Sequence, residues 1–537
     1  MMVAGSGSGA ITSRPPDASR SLRVGRELAV VVGLTVVGWF VRTASMADFP
    51  LNDGGLFYRM VLDLQETWPA LPETTTYNGL DAPFAYPPLG FYLGAVLHGW
   101  LGMDVMRAIP IAASVLTIPA FFLLARGLHG NGAVTWAATI AFSLMPRTFE
   151  WMTMGGGLTR APGLLLAIVA LWLAHRMLVR RDRWSVVASG VSAGLVILTH
   201  PQATLFLLIS GVAFLLAFGR DRATVTRAVT ALAIAAAIAA PWVVSVLANH
   251  GPGPLLSASA TQPGPFIGLL SLFAFEITGS RLFDVLGLLA AIGFLVAILR
   301  RQWLVPAWLV ALMVLDSRGG ATYAAVPAAM LAGSGAVELL VRLPALWSGS
   351  AAPSRPLAFL RSDRLPVAIG AILLTLALID AIGSQQAPDW RGFALTEDQR
   401  SAIVEAGELA PDGDYLVVTE RFWAVDATSE WFPTLAGAHS AATVQGREWL
   451  GAGEFRTAVE ASEALRECAN AGSACLSEWS TTWDKAFTHV FIPKGSLSGP
   501  LGEEDCCTGL RLLLAGDAGY SMIHDGPGGT IFERRDG

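Results

Sequence analysis

The chain has 537 residues, of which 53% are hydrophobic and only 15% charged, and its mean hydropathy is +0.52. Soluble domains carry roughly 25% charged residues, so this composition excludes a soluble globular protein and specifies an integral membrane protein. The net charge of −6 argues against a nucleic-acid partner, which would call for a basic face.

Residues 1–26 are polar, Gly/Ser-rich and arginine-bearing, and read as a disordered cytoplasmic tail. The run "ELAVVVGLTVVGWFV" follows. It is too long for a signal-peptide core and has no convincing cleavage site, so it reads as an uncleaved first span. A crossing helix needs about 20 apolar residues. Candidates lie near 27–45, 104–125, 130–146, 161–179, 184–199, 202–219, 226–248, 282–299, 302–316, 320–341 and 365–384. The segment "YPPLGFYLGAVLHGWLG", residues 86–102, is also apolar, and the side of every later loop depends on whether it crosses.

Arginine distribution decides, because cytoplasmic loops collect positive charge. If 86–102 does not cross, Arg126, the cluster Arg176/Arg180/Arg181/Arg183, Arg220/Arg222/Arg227, Arg300/Arg301 and Arg342/Arg355/Arg361/Arg364 all join Arg14, Arg20, Arg23 and Arg26 inside. If it crosses, they part company. The expectation is therefore a polytopic α-helical membrane protein of about eleven spans over residues 27–384, with the N-terminus cytoplasmic and the C-terminus outside. Residues 46–103 form one long outer loop. Within it, 86–102 is predicted as an interfacial helix opened by Pro87-Pro88, with Tyr86, Phe91, Tyr92 and Trp100 at headgroup depth.

That topology gives several loops a chemical character. "LNDGGLFYRM", residues 51–60, sets Asp53 beside two glycines at the outer lip of the membrane. It reads as a turn or as an active-site carboxylate. Arg107, Arg147, Arg160, Arg281 and Arg318 stand at outer membrane ends, against the trend. Each alone suits a snorkelling role; together on one side they suit an anionic ligand. "MPRTFEWMTMGGGLTRAPG" adds Glu150 and Trp151, "LTHPQA" adds His200 and Gln202, and "LDSRGGATY" adds Asp316 and Tyr323. The loop from about Asn249 to Ser280 carries His250, Glu276 and a second surface-helix candidate, "PFIGLLSLFAF". Ionisable groups at membrane depth are functional hypotheses, weighed against helix capping.

Residues 385–537 turn polar, about 150 residues and enough for one domain. "DYLVVTE" and "THVFIPK" read as buried strands, "YSMIHDGPGGTIFER" as a hairpin, and "TEDQRSAIVEAGELA" and "GEFRTAVEASEALREC" as amphipathic helices, which makes an extracytoplasmic α/β domain. All four cysteines, Cys468, Cys475, Cys506 and Cys507, lie here. Disulfides suit an oxidising compartment, with zinc as the alternative. Crosslinks from Cys506 and Cys507 to Cys468 and Cys475 are preferred over an adjacent Cys506–Cys507 bridge. "RFWAVDATSEWFPTLAGAHSAATVQGREWLG" mixes tryptophans with Asp426, Glu430, His439, Gln445 and Glu448, a composition that suits sugar binding or ordinary packing against the membrane face.

The sequence "FPLNDGGLFYRMVLDL", then "YNGLDAPFAYPPLGFYLGA", then "MRAIPIAASVLTIPAFFLLARGL" resembles membrane glycosyltransferases of the GT-C superfamily, the group of protein O-mannosyltransferases, lipid A aminoarabinose transferases and oligosaccharyltransferase catalytic subunits. The resemblance covers about the first 130 residues in motifs and the later spans in topology. It implies a sugar donor on a polyprenyl phosphate or pyrophosphate in the bilayer, and a glycan, lipid or protein acceptor. Asp53 matches the acidic residue of the family's first outer loop, the expected catalytic base. Arg107 matches the arginine opening the second span. Arg107, Arg160 and Arg318 are then candidates for the lipid phosphate, and Tyr86, Glu150, His200 and Glu276 for further substrate contacts. Asn52 stands where many relatives carry a second acidic residue, which leaves Asp53 as the single candidate ligand for a divalent cation such as Mg or Mn. The chain shows no Gly-rich phosphate loop between a strand and a helix, which favours a lipid-linked donor over a soluble nucleotide sugar. A transporter or flippase of lipid-linked sugars is the alternative; it would want polar residues through the middle of its spans, and few are there.

Overall fold

A computed structural model of the protein describes residues 18–44, 46–219, 221–260, 277–342, 364–386, 394–499 and 502–535. The apolar runs fold as helices because only an intrasegment ladder satisfies the backbone in lipid. Among the described residues six helices are long and apolar enough to cross a membrane, and five shorter apolar helices accompany them. The first is α1 (Ala18–Ala44), which begins earlier than the sequence suggested: residues 18–26 are helical. There follow α2 (Gly54–Glu66), α3 (Leu89–Leu101), α4 (Val105–His129), α5 (Ala133–Leu144), α6 (Gly157–Val179), α7 (Arg183–Ile197), α8 (Pro201–Phe218), α9 (Arg222–His250) and α10 (Gly253–Ala260). Helices Val285–Leu299, Leu304–Leu315, Gly320–Val337 and Arg364–Gln386 complete the bundle.

Helix ends fall on two faces. On one, Arg126 pairs with Glu27 at 2.9 Å, Arg300 with Glu338 at 2.7 Å, and Arg181 with Asp221. The start of α6, the end of α7 and the loop after α1 meet on the other. Both ends of α3 lie at this second face. The Leu89 N–H donates to the Leu198 carbonyl at 2.8 Å, and Val105 and Met106, just beyond α3, pack with Leu158. Gly102, at φ +56, breaks the helix between α3 and α4, so α3 runs along the face instead of continuing α4.

A second layer sits on that face. Two short strands, β1 (Thr74–Thr75) and β2 (Ala82–Pro83), pair in the loop after α2. The C-terminal domain is built on a five-stranded sheet, with β3 (Asp414–Val417), β4 (His439–Ser440), β5 (His489–Pro493), β8 (Tyr520–Asp525) and β9 (Gly529–Arg534) in the order β4-β3-β5-β9-β8. β3 runs parallel to β4 and β5, and β9 antiparallel to β5 and β8. A separate hairpin joins β6 (Ser496–Gly499) to β7 (Gly502–Asp505). Successive side chains point to opposite faces: Leu416, Val490, Ile492 and Phe532 pack into one core, while Tyr415, Val417, Phe491 and Ile531 pack into the other. The second core also takes in Phe49 and Leu51, from the loop after α1. The sheet domain is thereby docked on the loop that carries Asp53.

The cysteines pair differently from the expectation. Cys468 joins Cys475 across a Cα–Cα distance of 5.6 Å, and Cys506 joins its neighbour Cys507. The reason is local. A short 3-10 turn at Cys468–Asn470 returns the chain into helix Ser473–Trp483, which brings Cys475 back over Cys468 before either meets Cys506.

Candidate active site

Leu51–Gly55 is held from both sides. From the bundle, the Gly155 and Gly156 N–H groups donate to the carbonyls of Leu51 at 2.6 Å and Asn52 at 2.7 Å. From the C-terminal domain, helix Ala427–Ala436 supplies the Trp431 indole N–H to the Pro50 carbonyl at 2.8 Å and the Thr434 hydroxyl to the Gly55 carbonyl at 2.8 Å. Asn52 and Asp53 are set in the left-handed region, at φ +56 and +65. Two consecutive non-glycine residues there store strain that the surrounding hydrogen bonds must hold, a pattern found at functional sites.

That conformation turns the Asp53 carboxylate toward α6. Arg160 Nη2 donates to Asp53 Oδ2 at 2.7 Å and to Asn52 Oδ1 at 3.0 Å. The same guanidinium lies 5.8 Å above the Trp151 ring. Its Nη1 is buried and makes no hydrogen bond. Asp53 is about a third exposed, at 31%, so the carboxylate reaches the surface and is not sealed in a core.

Around this pair stand Tyr86, His200, Tyr323, Arg318 and the C-terminal loop at Glu448 and Trp449. The Tyr86 ring lies 6.2 Å from His200 and 5.6 Å from Trp449, and its hydroxyl accepts a 3.4 Å contact from the Thr159 hydroxyl. His200 is the N-cap of α8; its Nδ1 accepts from the Ala203 N–H at 3.3 Å and stands 3.4 Å from the Tyr323 hydroxyl. Burial, with the charges of Arg160 and Arg318, holds this imidazole well below its ordinary value, so it is neutral. Burial pushes the Tyr86 hydroxyl up to about 12, which makes it a hydrogen-bond donor and not an anion. Two glutamates from the C-terminal domain complete the wall. Glu430 is pushed up to about 8 by burial and then by the charge of Asp53. Glu448 is pushed up to about 7, mainly by burial, with Asp53 raising it and Arg318 opposing.

The structure thus assembles Asp53, Arg160, Tyr86, His200 and Arg318 in one place. Glu150 belongs elsewhere on the same face. It is buried between Arg147 at 3.8 Å and Arg281 at 3.5 Å, and burial raises its pKa against those two charges. Arg107 lies in the first turn of α4, with its Nε buried and without a hydrogen-bond partner; no described contact joins it to Asp53. Glu276 and the "PFIGLLSLFAF" segment lie outside the described residues. Glu430, Glu448 and Tyr323 were not among the predicted site residues. Their one signal in the sequence was acidic groups among tryptophans in 421–451, together with a tyrosine five residues after Arg318. Among the described residues no group of three His, Cys, Asp or Glu side chains is placed to hold a metal.

Several known proteins share this architecture. A domain family described as "6-pyruvoyl-tetrahydropterin synthase related domain; membrane protein" matches residues 85–254, less than a third of the chain. No curated protein sequence matches. Among solved structures, ArnT from Cupriavidus metallidurans bound to undecaprenyl phosphate superposes with a TM-score of 0.55 at 14% identity, over 94% of this chain and 97% of that one. The same protein in the apo state gives 0.55 at 15% identity, over 95% and 98%. The mycobacterial arabinofuranosyltransferase AftD gives 0.54 at 14% identity, over 94% of this chain and 41% of that longer one. The chain is a multi-pass membrane protein with the fold of the GT-C glycosyltransferases and a C-terminal α/β domain.

Proposed function

We propose that this chain, which has the GT-C fold, is a membrane glycosyltransferase that moves a sugar from a polyprenyl phosphate or pyrophosphate to an acceptor on the outer face of the membrane. The observation that carries the reading is the Asp53–Arg160 pair, in which Arg160 Nη2 binds the carboxylate and Nη1 is left buried and unused. A guanidinium has five N–H donors in a planar fork, so one arginine can hold a base and a phosphate together.

The residues divide the work as follows. Asp53 accepts the proton of the acceptor hydroxyl or amide as that atom bonds to the anomeric carbon. The bond from the anomeric carbon to the donor phosphate breaks, and the lipid phosphate leaves as an anion. Arg160, through Nη1, and Arg318 stabilise that charge; Arg107 is a further phosphate ligand as the lipid approaches along α4. Tyr86 and His200 contact the sugar, and Glu150 lies on the wider outer face. The solved ArnT complex with undecaprenyl phosphate supports a lipid-linked donor. The outward orientation of this face is supported by the bias of arginines to the opposite one. The sheet domain would then sit outside, where its two disulfides persist.

The test is transfer of label from polyprenyl-phosphate mannose and polyprenyl-phosphate arabinose by the full chain in lipid nanodiscs, wild type against Asp53→Asn. Loss of about a thousandfold or more in a folded Asp53→Asn protein supports the base. Equal turnover by both proteins removes Asp53 from the chemistry.

A further inference from the structure

Asp53 is the N-cap residue of α2, yet its side chain caps nothing there. Aspartate at an N-cap ordinarily turns back to accept the free N–H groups of its own helix. Four other aspartates in this chain do so: Asp182 accepts from Ser185, Asp221 from Thr224, Asp284 from Gly287, and Asp426 from Thr428 and Ser429. Asp53, at φ +65, points away from its helix and into the site, onto Arg160.

The first N–H groups of α2 still need an acceptor, because the opening turn of a helix has none of its own. Glu430 provides it from 375 residues away. Its Oε1 accepts the Gly55 N–H at 2.8 Å. The fit is close. Glu430 is 1% exposed, its carbonyl takes the Tyr77 hydroxyl at 2.6 Å, and a Cβ on Gly55 would stand 2.5 Å from that carbonyl oxygen.

We infer that Glu430 is a positioning residue of the active site: it caps α2 from the C-terminal domain, and so releases the Asp53 carboxylate for the reaction. The inference rests on the reading of Asp53 as the base. It makes the C-terminal domain part of the catalytic apparatus, because the carboxyl that accepts the Gly55 N–H of α2 comes from that domain. What α2 needs is an acceptor oxygen at the right reach. A glutamine keeps that oxygen; an aspartate, shorter by one methylene, keeps the acid and loses the reach.

The experiment compares wild type, Asp53→Asn, Glu430→Gln and Glu430→Asp as full chains in nanodiscs. Its readouts are the transfer kinetics above and amide hydrogen exchange of the peptide covering 51–60. Glu430→Gln is expected to keep kcat within about threefold and to leave exchange unchanged. Glu430→Asp is expected to lose about ten- to a hundredfold in kcat with donor KM within about threefold, since misplacing a reacting group by about an ångström costs that much. Its 51–60 peptide should exchange faster. Glu430→Ala takes its place if it does not fold. Wild-type kcat in Glu430→Asp, unchanged exchange, or equal losses in the Gln and Asp variants each overturn the inference. Any of these with Asp53→Asn inactive leaves the base assignment standing; full activity in Asp53→Asn defeats the base assignment itself. The exchange readout decides the cap without any donor.

Discussion

Arg160 and Asp53 are 107 residues apart in the chain and 2.7 Å apart in space, joined through Nη2 and Oδ2. The contact links the first long loop to the start of α6, and the Asn52 amide shares the same nitrogen at 3.0 Å. One planar cation therefore serves two acceptors and still has Nη1 to offer. An ammonium gathers its three donors on one nitrogen at the end of a flexible stem and lacks this fixed planar spread. Arg160→Lys should therefore lower kcat/KM by about ten- to a hundredfold, and Arg160→Ala by about a hundred- to a thousandfold. Steady-state transfer with the labelled donors measures both. A lysine variant at wild-type rate would mean that charge alone suffices.

Stability should depend on pH through Glu430. Its carboxyl is raised from 4.5 to about 8, first by burial, then by the Asp53 charge, with a smaller push from Asp426 and opposition from the N–H groups of Gly55 and Asp53. The folded protein thus keeps a proton that the unfolded chain gives up above about 4.5. The stability tied to that proton is fully present below 4.5 and is lost as pH climbs through about 8. Wild type should show a falling Tm across that window. Glu430→Gln, with no proton to lose, should be flatter. Parallel curves for the two proteins would show that another group controls the response.

What the sequence could reveal follows from range. Arg107, Arg160 and Arg318 were visible because a one-sided arginine distribution makes every exception conspicuous, and Asp53 because it follows the first span. Strands β3 and β5 were visible as short apolar runs, and the structure shows why both faces are apolar: Tyr415-Leu416-Val417 sends successive residues to opposite cores. Glu430 and Glu448 carried only their place among the tryptophans of 421–451, which fits packing as well as a site. Their place in the site depends on docking a domain onto a loop 375 residues earlier, which no local pattern encodes. Glu150 shows the converse: a residue with the right topology whose partners, Arg147 and Arg281, draw it to a separate cluster.

Gly155 tests the bundle's grip on the Asp53 loop. A Cβ there would stand 2.4 Å from Gly54 Cα and 2.8 Å from the Leu51 carbonyl, both backbone atoms that cannot swing aside. Gly155→Ala should cost about 1–3 kcal/mol of stability and cut transfer by about tenfold or more, because the displaced backbone carries the base. Gly453, in helix Ala452–Glu467, would meet nothing within 4 Å. Gly453→Ala should leave transfer unchanged and stabilise by up to about 1 kcal/mol. Equal behaviour of the two alanines, by melting and by transfer, would remove the loop's close fit from the account.

Arg42 gave no sign in the sequence, since an arginine in the last turn of a span is ordinary. The structure buries it completely. Its Nε donates to the Ser114 hydroxyl at 3.0 Å, and Nη1 to the carbonyls of Ser143 at 3.1 Å and Gly38 at 3.2 Å. Nη2 reaches the Thr148 hydroxyl at 3.5 Å, and the guanidinium sits 4.8 Å over the Phe149 ring. One side chain thus ties α1 to α4, to α5 and to the turn that leads to Glu150. Arg42→Lys keeps a charge but cannot reach these acceptors together, so it should cost about 1–3 kcal/mol. Arg42→Ala also opens a cavity and should cost about 3–5 kcal/mol. Thermal unfolding in nanodiscs measures both. If Arg42→Ala melts with wild type, the network is a bystander, and the position of α1 against the site must come from apolar packing at Val41 and Ile118 instead.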